Sequence, residues 1–416
     1  MNMELPKVKH IGLLFSGGPA PAANAVISAT VMNLVNAGVE VYGFLQGFEF
    51  LQEYDDCKAL VPNEHYKILT LADVSGIRNF KSIIIKTSRA NPGKGISSIH
   101  DLTNPHKNQK LSNVYKWMDH CEIDGLITIG GDDTLKTANY LYLMQYHIPD
   151  IRPLHLVHIP KTIDNDYLGI DWTFGYTSAA NFAANEIRNL RADAASTNSW
   201  FILEIMGRKT GWLTYAAGIA GEAVRMISVE NIKGEFNLDK LIDNLLALME
   251  ARACEGKKHG VVCVSEGLAE LLPENLRPTR VDRHGNVVLG DAEVGKVIAN
   301  ELETRYKELH PKESLKVRAK QIGYETRCAE PAAFDVMLGS QLGVGAFRAI
   351  CQKGLSGVMV SVEDQMQIKY VPFHELIDPK TLLPKIRYIH KNSDFYQLAR
   401  SLEYQLPEDR ITHEHE

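Results

Sequence analysis

Short, continuously apolar runs alternate along the chain with longer segments of helical spacing. Residues 10–15 (HIGLLF), 125–129 (GLITI), 154–159, 200–205 (WFILEI), 260–264 (GVVCV) and 357–362 are of the first kind, the pattern of strands buried on both faces of a parallel sheet. Residues 39–45, 81–89 and 315–322 read as further strands. Residues 22–37, 111–120, 135–146, about 178–191, 293–309 and 331–350 read as helices. Residues 268–291 are polar and punctuated by Pro and Gly, an excursion, and the end of the chain is a polar tail with some helix. Strands alternating with helices predict an α/β chain of doubly wound, Rossmann-like domains with mostly parallel sheets. At 416 residues and 45% hydrophobic content the chain has material for two such domains. The expected division is 1–175 with about 328–375, and 176–327 with about 376–416.

Five strands end in polar tips, most of them carrying glycine. The tips are Ser16-Gly17-Gly18-Pro19-Ala20-Pro21, Gly130-Gly131-Asp132-Asp133-Thr134, Pro160-Lys161-Thr162-Ile163-Asp164-Asn165-Asp166, Met206-Gly207-Arg208 and Ser265-Glu266-Gly267. In open α/β sheets ligands bind at the carboxyl ends of strands, and repetition of polar tips argues for an active site. Glycine lets the backbone approach an anion, and a helix amino terminus adds N–H groups to hold it. One aspartate of Asp132-Asp133 has a structural explanation as a helix cap, but two in succession do not both cap.

Composition narrows the field. The formal net charge is -6, which offers no global attraction to nucleic acid or an anionic membrane. Six cysteines are scattered without metal-like spacing, as expected of free thiols in the cytoplasm. No apolar run approaches ~18 residues, so no transmembrane helix is expected, and the amino terminus lacks a signal-peptide pattern. The terminal His413-Glu414-His415-Glu416 reads as a tail rather than a metal site. The tips carry carboxylates (Asp132, Asp133, Asp164, Asp166, Glu266) and cations (Arg89, Lys161, Arg208, Arg318, Arg327). Phosphoryl transfer needs both: cations and Mg²⁺ neutralise charge on the transferred group, and a carboxylate accepts the nucleophile's proton. Neither GxxxxGK[ST] nor GxGxxG is present, which disfavours P-loop and dinucleotide binding.

With these motifs in order, the chain resembles the phosphofructokinase family from Ser16 to Arg327. Thr162-Ile163-Asp164-Asn165-Asp166 followed by Met206-Gly207-Arg208, with Glu266-Gly267 and Tyr324-Glu325-Thr326-Arg327, is the specific part of the match. The resemblance implies that Asp164 is the general base toward the sugar's 1-hydroxyl. It gives Thr162, Ile163 and Asp166 to the sugar and metal region, Asp132 to Mg²⁺, and Gly18 to the donor's phosphates. Met206, Gly207, Arg208 and Glu266 would contact the sugar phosphate, with Tyr324, Arg327 and Arg318 as clamp of the 6-phosphate. Arg89 is carried over despite Lys81-Ser82-Ile83 standing where the family often has Gly-Gly-Thr. Ser199 stands where many bacterial members lend an arginine across a subunit boundary. The implied substrate is fructose 6-phosphate, and the implied assembly a homo-oligomer, with a dimer favoured.

Two positions bear on the donor. ATP-using members carry glycine where Asp133 and Lys161 stand. Two unit charges ~4 Å apart repel by about 4 kcal/mol at an effective dielectric near ~20, about a thousandfold in affinity. A carboxylate at 133 would thus meet a nucleotide's α-phosphate, and Lys161 would supply a cation to pyrophosphate. This pair resembles the pyrophosphate-using branch. The alternatives are an ATP-using enzyme of the same family and a non-catalytic sugar-phosphate sensor; intact Asp132, Asp164 and Arg208 speak against the sensor.

Overall fold

The computed structural model describes residues 7–55, 59–232, 234–281 and 287–406. Cys57, the 413–416 tail and part of the 268–291 excursion lie outside them. The chain divides into two compact units, 1–178 with 327–386 and 179–326 with 387–416.

The first unit contains β1 (His10–Ser16), α1 (Ala23–Asn36), β2 (Glu40–Phe44), β3 (Tyr66–Leu69), α2 (Leu71–Val74), α3 (Ile99–Thr103), α4 (Pro105–His120), β4 (Gly125–Gly130), α5 (Asp132–His147) and β5 (His155–Pro160). Helix α6 (Tyr176–Thr197) starts in this unit and continues into the second, which holds β6 (Trp200–Ile205), α7 (Trp212–Gly221), β7 (Arg225–Ile227), α8 (Leu238–Cys254), β8 (Gly260–Ser265), α9 (Val294–Leu309) and β9 (Val317–Ile322). The chain then returns to the first unit with α10 (Ala333–Phe347), β10 (Val358–Glu363), β11 (Gln367–Pro372) and α11 (Phe373–Leu376), and ends in the second with α12 (Asp394–Leu402).

The first unit's sheet has the order β11-β10-β5-β4-β1-β2-β3, parallel except for the outermost strands β3 and β11. The second unit's sheet, β7-β8-β6-β9, is parallel throughout. This is the two-part, mostly parallel α/β architecture that the run pattern predicts. Strands β1, β4, β5, β6 and β8 are central and almost wholly buried, which is why they read as unbroken apolar runs. The edge strand β11 alternates (QIKYVP), with two of its six residues exposed and only one buried, so its pattern merges with the polar tail. Strands β3 and β7 have four and three residues, too few to set a period. Helix α8 carries a regular apolar stripe, Ile242, Leu245, Leu246 and Met249, which the reading of the runs passed over.

One expected strand is absent. Residues 81–89 form turns rather than a strand. The backbone polar groups here are claimed by a buried side chain: Asn24 Nδ2 donates to the Phe80 and Ser82 carbonyls, and Asn24 Oδ1 accepts from the Ile84 N–H. Lys86, with φ 57°, then closes a tight turn onto the Ile83 carbonyl. Ile83 and Ile85 are buried all the same, and their apolar spacing is what imitates a strand.

Candidate active site

Strand register assembles the first unit's tips. Ser16 pairs with Gly130, and Gly130 with Pro160, so three adjacent parallel strands stop level with one another. The residues that follow, Gly17-Gly18, Gly131-Asp132-Asp133 and Lys161 to Asp166, therefore emerge side by side. The 81–89 segment is tied in as well: Gly17 N–H donates to the Ser88 carbonyl (2.8 Å) and Thr87 Oγ1 to the Gly17 carbonyl (2.7 Å). Arg89 is thereby held next to the first glycine turn.

Lys161 is 6% exposed. It is not the solvated turn residue that a lysine in a polar loop suggests. Its backbone N–H donates to the Gly130 carbonyl (2.9 Å), and its ammonium lies 5.6 Å from the Phe15 ring centroid. The same ammonium is 3.3 Å and 3.9 Å from where a Cβ on Gly17 and on Gly131 would stand. It lines the cradle between the two glycine turns. Burial, then the Arg327 guanidinium, bring its pKa down to about 8, with Arg89 acting the same way and Asp164 and Asp166 opposing. A buried cation with a shifted pKa among other charged groups is the character of a functional site.

Around it the 161–174 loop is fixed by its own bonds. Asp164 N–H donates to Thr162 Oγ1 (3.0 Å), and the Thr162 carbonyl accepts from Thr173 Oγ1 (2.8 Å). Asn165, left-handed at φ 54°, accepts from Thr173 N–H at 2.9 Å. Ile163 and Asp166 are buried, while Thr162 and Asp164 are half-exposed.

Asp132 and Asp133 open α5, whose N-cap is Gly131, and no side chain caps the helix. Asp132 is half-exposed and Asp133 exposed. Neither aspartate is a cap, so the ordinary structural explanation for one of them does not apply. Arg327, paired in sequence with Tyr324, belongs to the first unit, its guanidinium carbon 3.4 Å from the Cβ position of Gly18. It stands with Gly18 and Lys161, one residue past the point where the chain leaves the second unit.

The second unit repeats the arrangement. Ile205 pairs with both Ser265 and Ile322, so Met206, Glu266 and Gly323 leave adjacent strands at one level. The β6 and β8 tips are zipped together: Ser265 Oγ and Gly267 N–H both donate to the Gly207 carbonyl (2.7 and 3.2 Å), and Gly207 N–H donates to Glu266 Oε1 (3.3 Å). Gly207 has φ 139°, a conformation that only glycine tolerates readily. Arg208 donates from Nε and Nη2 to Glu270 Oε1 (2.9 and 2.7 Å), and buried Met206 accepts a weak bond from Thr326 Oγ1. Tyr324 is 67% exposed.

Arg318 does not join this group. It pairs with Phe201, four residues before the level tips, about 13 Å back along the strand. There it is exposed, close to Asp193 (3.5 Å). Five residues, four of them in β9, separate it from Tyr324, so their nearness in sequence is not nearness at the tip. Ser199 is fully buried and bonded to Thr197.

Three side chains at these tips escaped the sequence reading: Glu270, His158 and Tyr167. Only His158 left a signal, as one of two imidazoles, with His155, in an otherwise apolar strand.

Among the described residues, no three His, Cys, Asp or Glu side chains come together as a self-sufficient metal cage. Mg²⁺ would need no such cage, since it takes one or two carboxylates and completes its shell with water and substrate phosphate oxygens; Asp132, half-exposed at the start of α5, could serve as one such carboxylate.

Comparison with known proteins agrees with these motifs. The family model described as phosphofructokinase matches residues 10–350. A Naegleria fowleri protein named pyrophosphate--fructose 6-phosphate 1-phosphotransferase is 34% identical over 94% of this chain and 87% of its own. A Thermotoga maritima protein of the same name is also 34% identical, over 94% and 90%. A Chloroflexus aurantiacus protein named ATP-dependent 6-phosphofructokinase is 30% identical over 95% and 97%. In fold, the chain is similar to a pyrophosphate-dependent phosphofructokinase from Nitrosospira multiformis, with TM-score 0.68, 19% identity, and coverage of 96% and 93%. Among the described residues, no helix is long and apolar enough to cross a membrane.

Proposed function

The chain belongs to the phosphofructokinase family, and from that premise we propose that it transfers a phosphoryl group from pyrophosphate to O1 of fructose 6-phosphate, with Mg²⁺, giving fructose 1,6-bisphosphate and orthophosphate. The observation that carries the choice of donor is the burial of Lys161 between the two glycine turns. A desolvated ammonium in a cradle of backbone and guanidinium suits a small, dense anion. Asp133, one residue beyond the metal carboxylate and not engaged as a cap, sets a negative charge against a nucleotide's α-phosphate. The two relatives at 34% identity bear the pyrophosphate name, and the ATP-named relative stands at 30%.

In this reading Gly18, Lys161 and Arg89 hold the donor's phosphates, with Asp132 and Asp166 toward the metal; Arg327, which the family resemblance gives to the 6-phosphate, is assigned to the donor instead because its guanidinium lies against Gly18. Bound Mg²⁺ would neutralise phosphate charge and orient the leaving group. Thr162 and Ile163 position the sugar next to Asp164, whose carboxylate takes the proton from the 1-hydroxyl. The sugar oxygen then attacks phosphorus, the bridging P–O bond breaks, and orthophosphate leaves with the electron pair. Lys161 and Arg208 stabilise the charge that spreads over the transferred group. Met206, Gly207, Glu266 and Tyr324 bind the sugar phosphate, and Arg208 must exchange Glu270 for it. Asp164 is an ordinary carboxylate and a weak base, so the approach of the phosphoryl group must drive the proton onto it.

Exchanging one phosphoanhydride for one ester without a nucleotide makes the reaction readily reversible. Phosphorus NMR of the chain with Mg²⁺, fructose 6-phosphate and pyrophosphate should show orthophosphate and the bisphosphate appearing together. The reverse mixture should regenerate pyrophosphate. No conversion in either direction overturns the reading.

A further inference from the structure

Behind the Gly130-Gly131 turn lies a line of three buried hydrogen-bonding side chains to which the reaction above gives no role. Thr128 on β4 and His158 on β5 are both fully buried, and Tyr167, just past Asp166, is 3% exposed. Thr128 Oγ1 is 2.9 Å from His158 Nδ1, His158 Nε2 is 3.1 Å from the Tyr167 hydroxyl, and that hydroxyl is 3.1 Å from the Gly130 carbonyl. The rings of His158 and Tyr167 stack at 5.9 Å.

The donors can be assigned by elimination. A carbonyl only accepts, so the single hydroxyl proton of Tyr167 goes to Gly130. The tyrosine oxygen must then accept from His158 Nε2–H, which leaves Nδ1 to accept from the Thr128 hydroxyl. The line thus runs one way, Thr128 to His158 to Tyr167 to Gly130, through a neutral imidazole in one tautomer. Burial, followed by the charge of Lys161, holds the imidazole neutral by bringing its pKa down to about 3.

The line ends on a peptide that needs holding. Neither Gly130 nor Gly131 has a side chain to restrict it, and the Gly130 carbonyl takes a second bond from the Lys161 N–H (2.9 Å). Two donors on one oxygen fix the plane of the Gly130–Gly131 peptide, and with it the direction of the Gly131 N–H on the opposite side. The same plane sets where α5 begins, hence where Asp132 stands, and ties that point to Lys161.

We propose that Tyr167 and His158 are positioning residues for the phosphoryl donor: through the Gly130 carbonyl they hold the Gly131 N–H, Asp132 and Lys161 in the arrangement that binds pyrophosphate. The inference rests on the donor reading above, and the test separates the two.

Binding of inorganic pyrophosphate with Mg²⁺ is measured by calorimetry on the full chain, alongside separate KM values for pyrophosphate and fructose 6-phosphate. Tyr167→Phe should weaken pyrophosphate binding and raise its KM by about tenfold, the size of one hydrogen bond's effect, with the sugar KM within about twofold. His158→Gln can still offer an N–H to Tyr167 and should retain most of the affinity, whereas His158→Leu should match Tyr167→Phe. If Tyr167→Phe does not fold, the two His158 variants decide by the same contrast. Equal changes in both KM values, or no change in either, overturn the inference while leaving the donor reading intact. Failure of the unaltered chain to bind pyrophosphate overturns the donor reading, and this inference with it.

Discussion

At Lys161 burial and charge act in opposite directions, and pH separates them. Its folded pKa of about 8 lies below the ordinary 10.5, so between those values the unfolded chain holds a proton that the folded chain does not. Stability contributed by this group therefore rises with pH across that window. Anion binding does the reverse, because a neutral amine offers no charge to phosphate. Pyrophosphate affinity, followed by calorimetry, should fall as pH climbs through about 8. In Lys161→Arg it should lose this dependence, since arginine stays protonated. A flat profile in the unaltered chain would contradict a role for the ammonium. At Asp164 the expectation concerns rate alone. Asp164→Asn should lower kcat by about 10²–10⁴-fold, the range of general base catalysis, with the fructose 6-phosphate KM nearly unchanged. Near-normal turnover would remove Asp164 from that role. Both residues were legible in sequence, because each sits in a polar heptad that has no apolar stripe to bury. The burial of Lys161 was not legible, since it depends on Phe15, Gly17 and Gly131 arriving from other strands.

The elements do the assembling through register. Ser16, Gly130 and Pro160 end level in one sheet, and Ile205, Ser265 and Ile322 in the other. Tips far apart in sequence become neighbours because the strands beneath them end level. Buried parallel strands announce themselves as apolar runs, so this much could be read in advance. The edge strand β11 could not, nor could the loop at 81–89, where the bonds of Asn24 override a strand-like pattern. The place of Arg318, back along β9, has the same origin: distance along an extended strand is invisible until the register is known. Gly207 tests the zipped β6 and β8 tips. A Cβ there would lie 2.7 Å from the Thr210 carbonyl, at a φ that side chains avoid. Gly207→Ala should cost about 1–3 kcal/mol of stability in denaturant unfolding and raise the fructose 6-phosphate KM, leaving the pyrophosphate KM alone. An unchanged sugar KM would detach the β6 tip from sugar binding.

On the scale of the whole molecule, the division of labour follows the chain's three crossings between units. The first unit carries Gly18, Arg89, Asp132, Asp133, Lys161, Asp164 and Arg327; the second carries Met206, Gly207, Arg208, Glu266 and Tyr324. Motif order from Ser16 to Arg327 could be read because each motif is local. The pairing of Ser178 with buried Asp335, 157 residues on, could not, because it depends on the chain's return to the first unit. Donor choice is the property that draws on the most of this organisation, and it is measured directly by initial rates with fructose 6-phosphate and Mg²⁺, supplied with either pyrophosphate or ATP at equal concentration. Turnover with pyrophosphate, and with ATP slower by about a thousandfold, the size of the Asp133 repulsion, is the predicted result. Brisk turnover with ATP and none with pyrophosphate would contradict it.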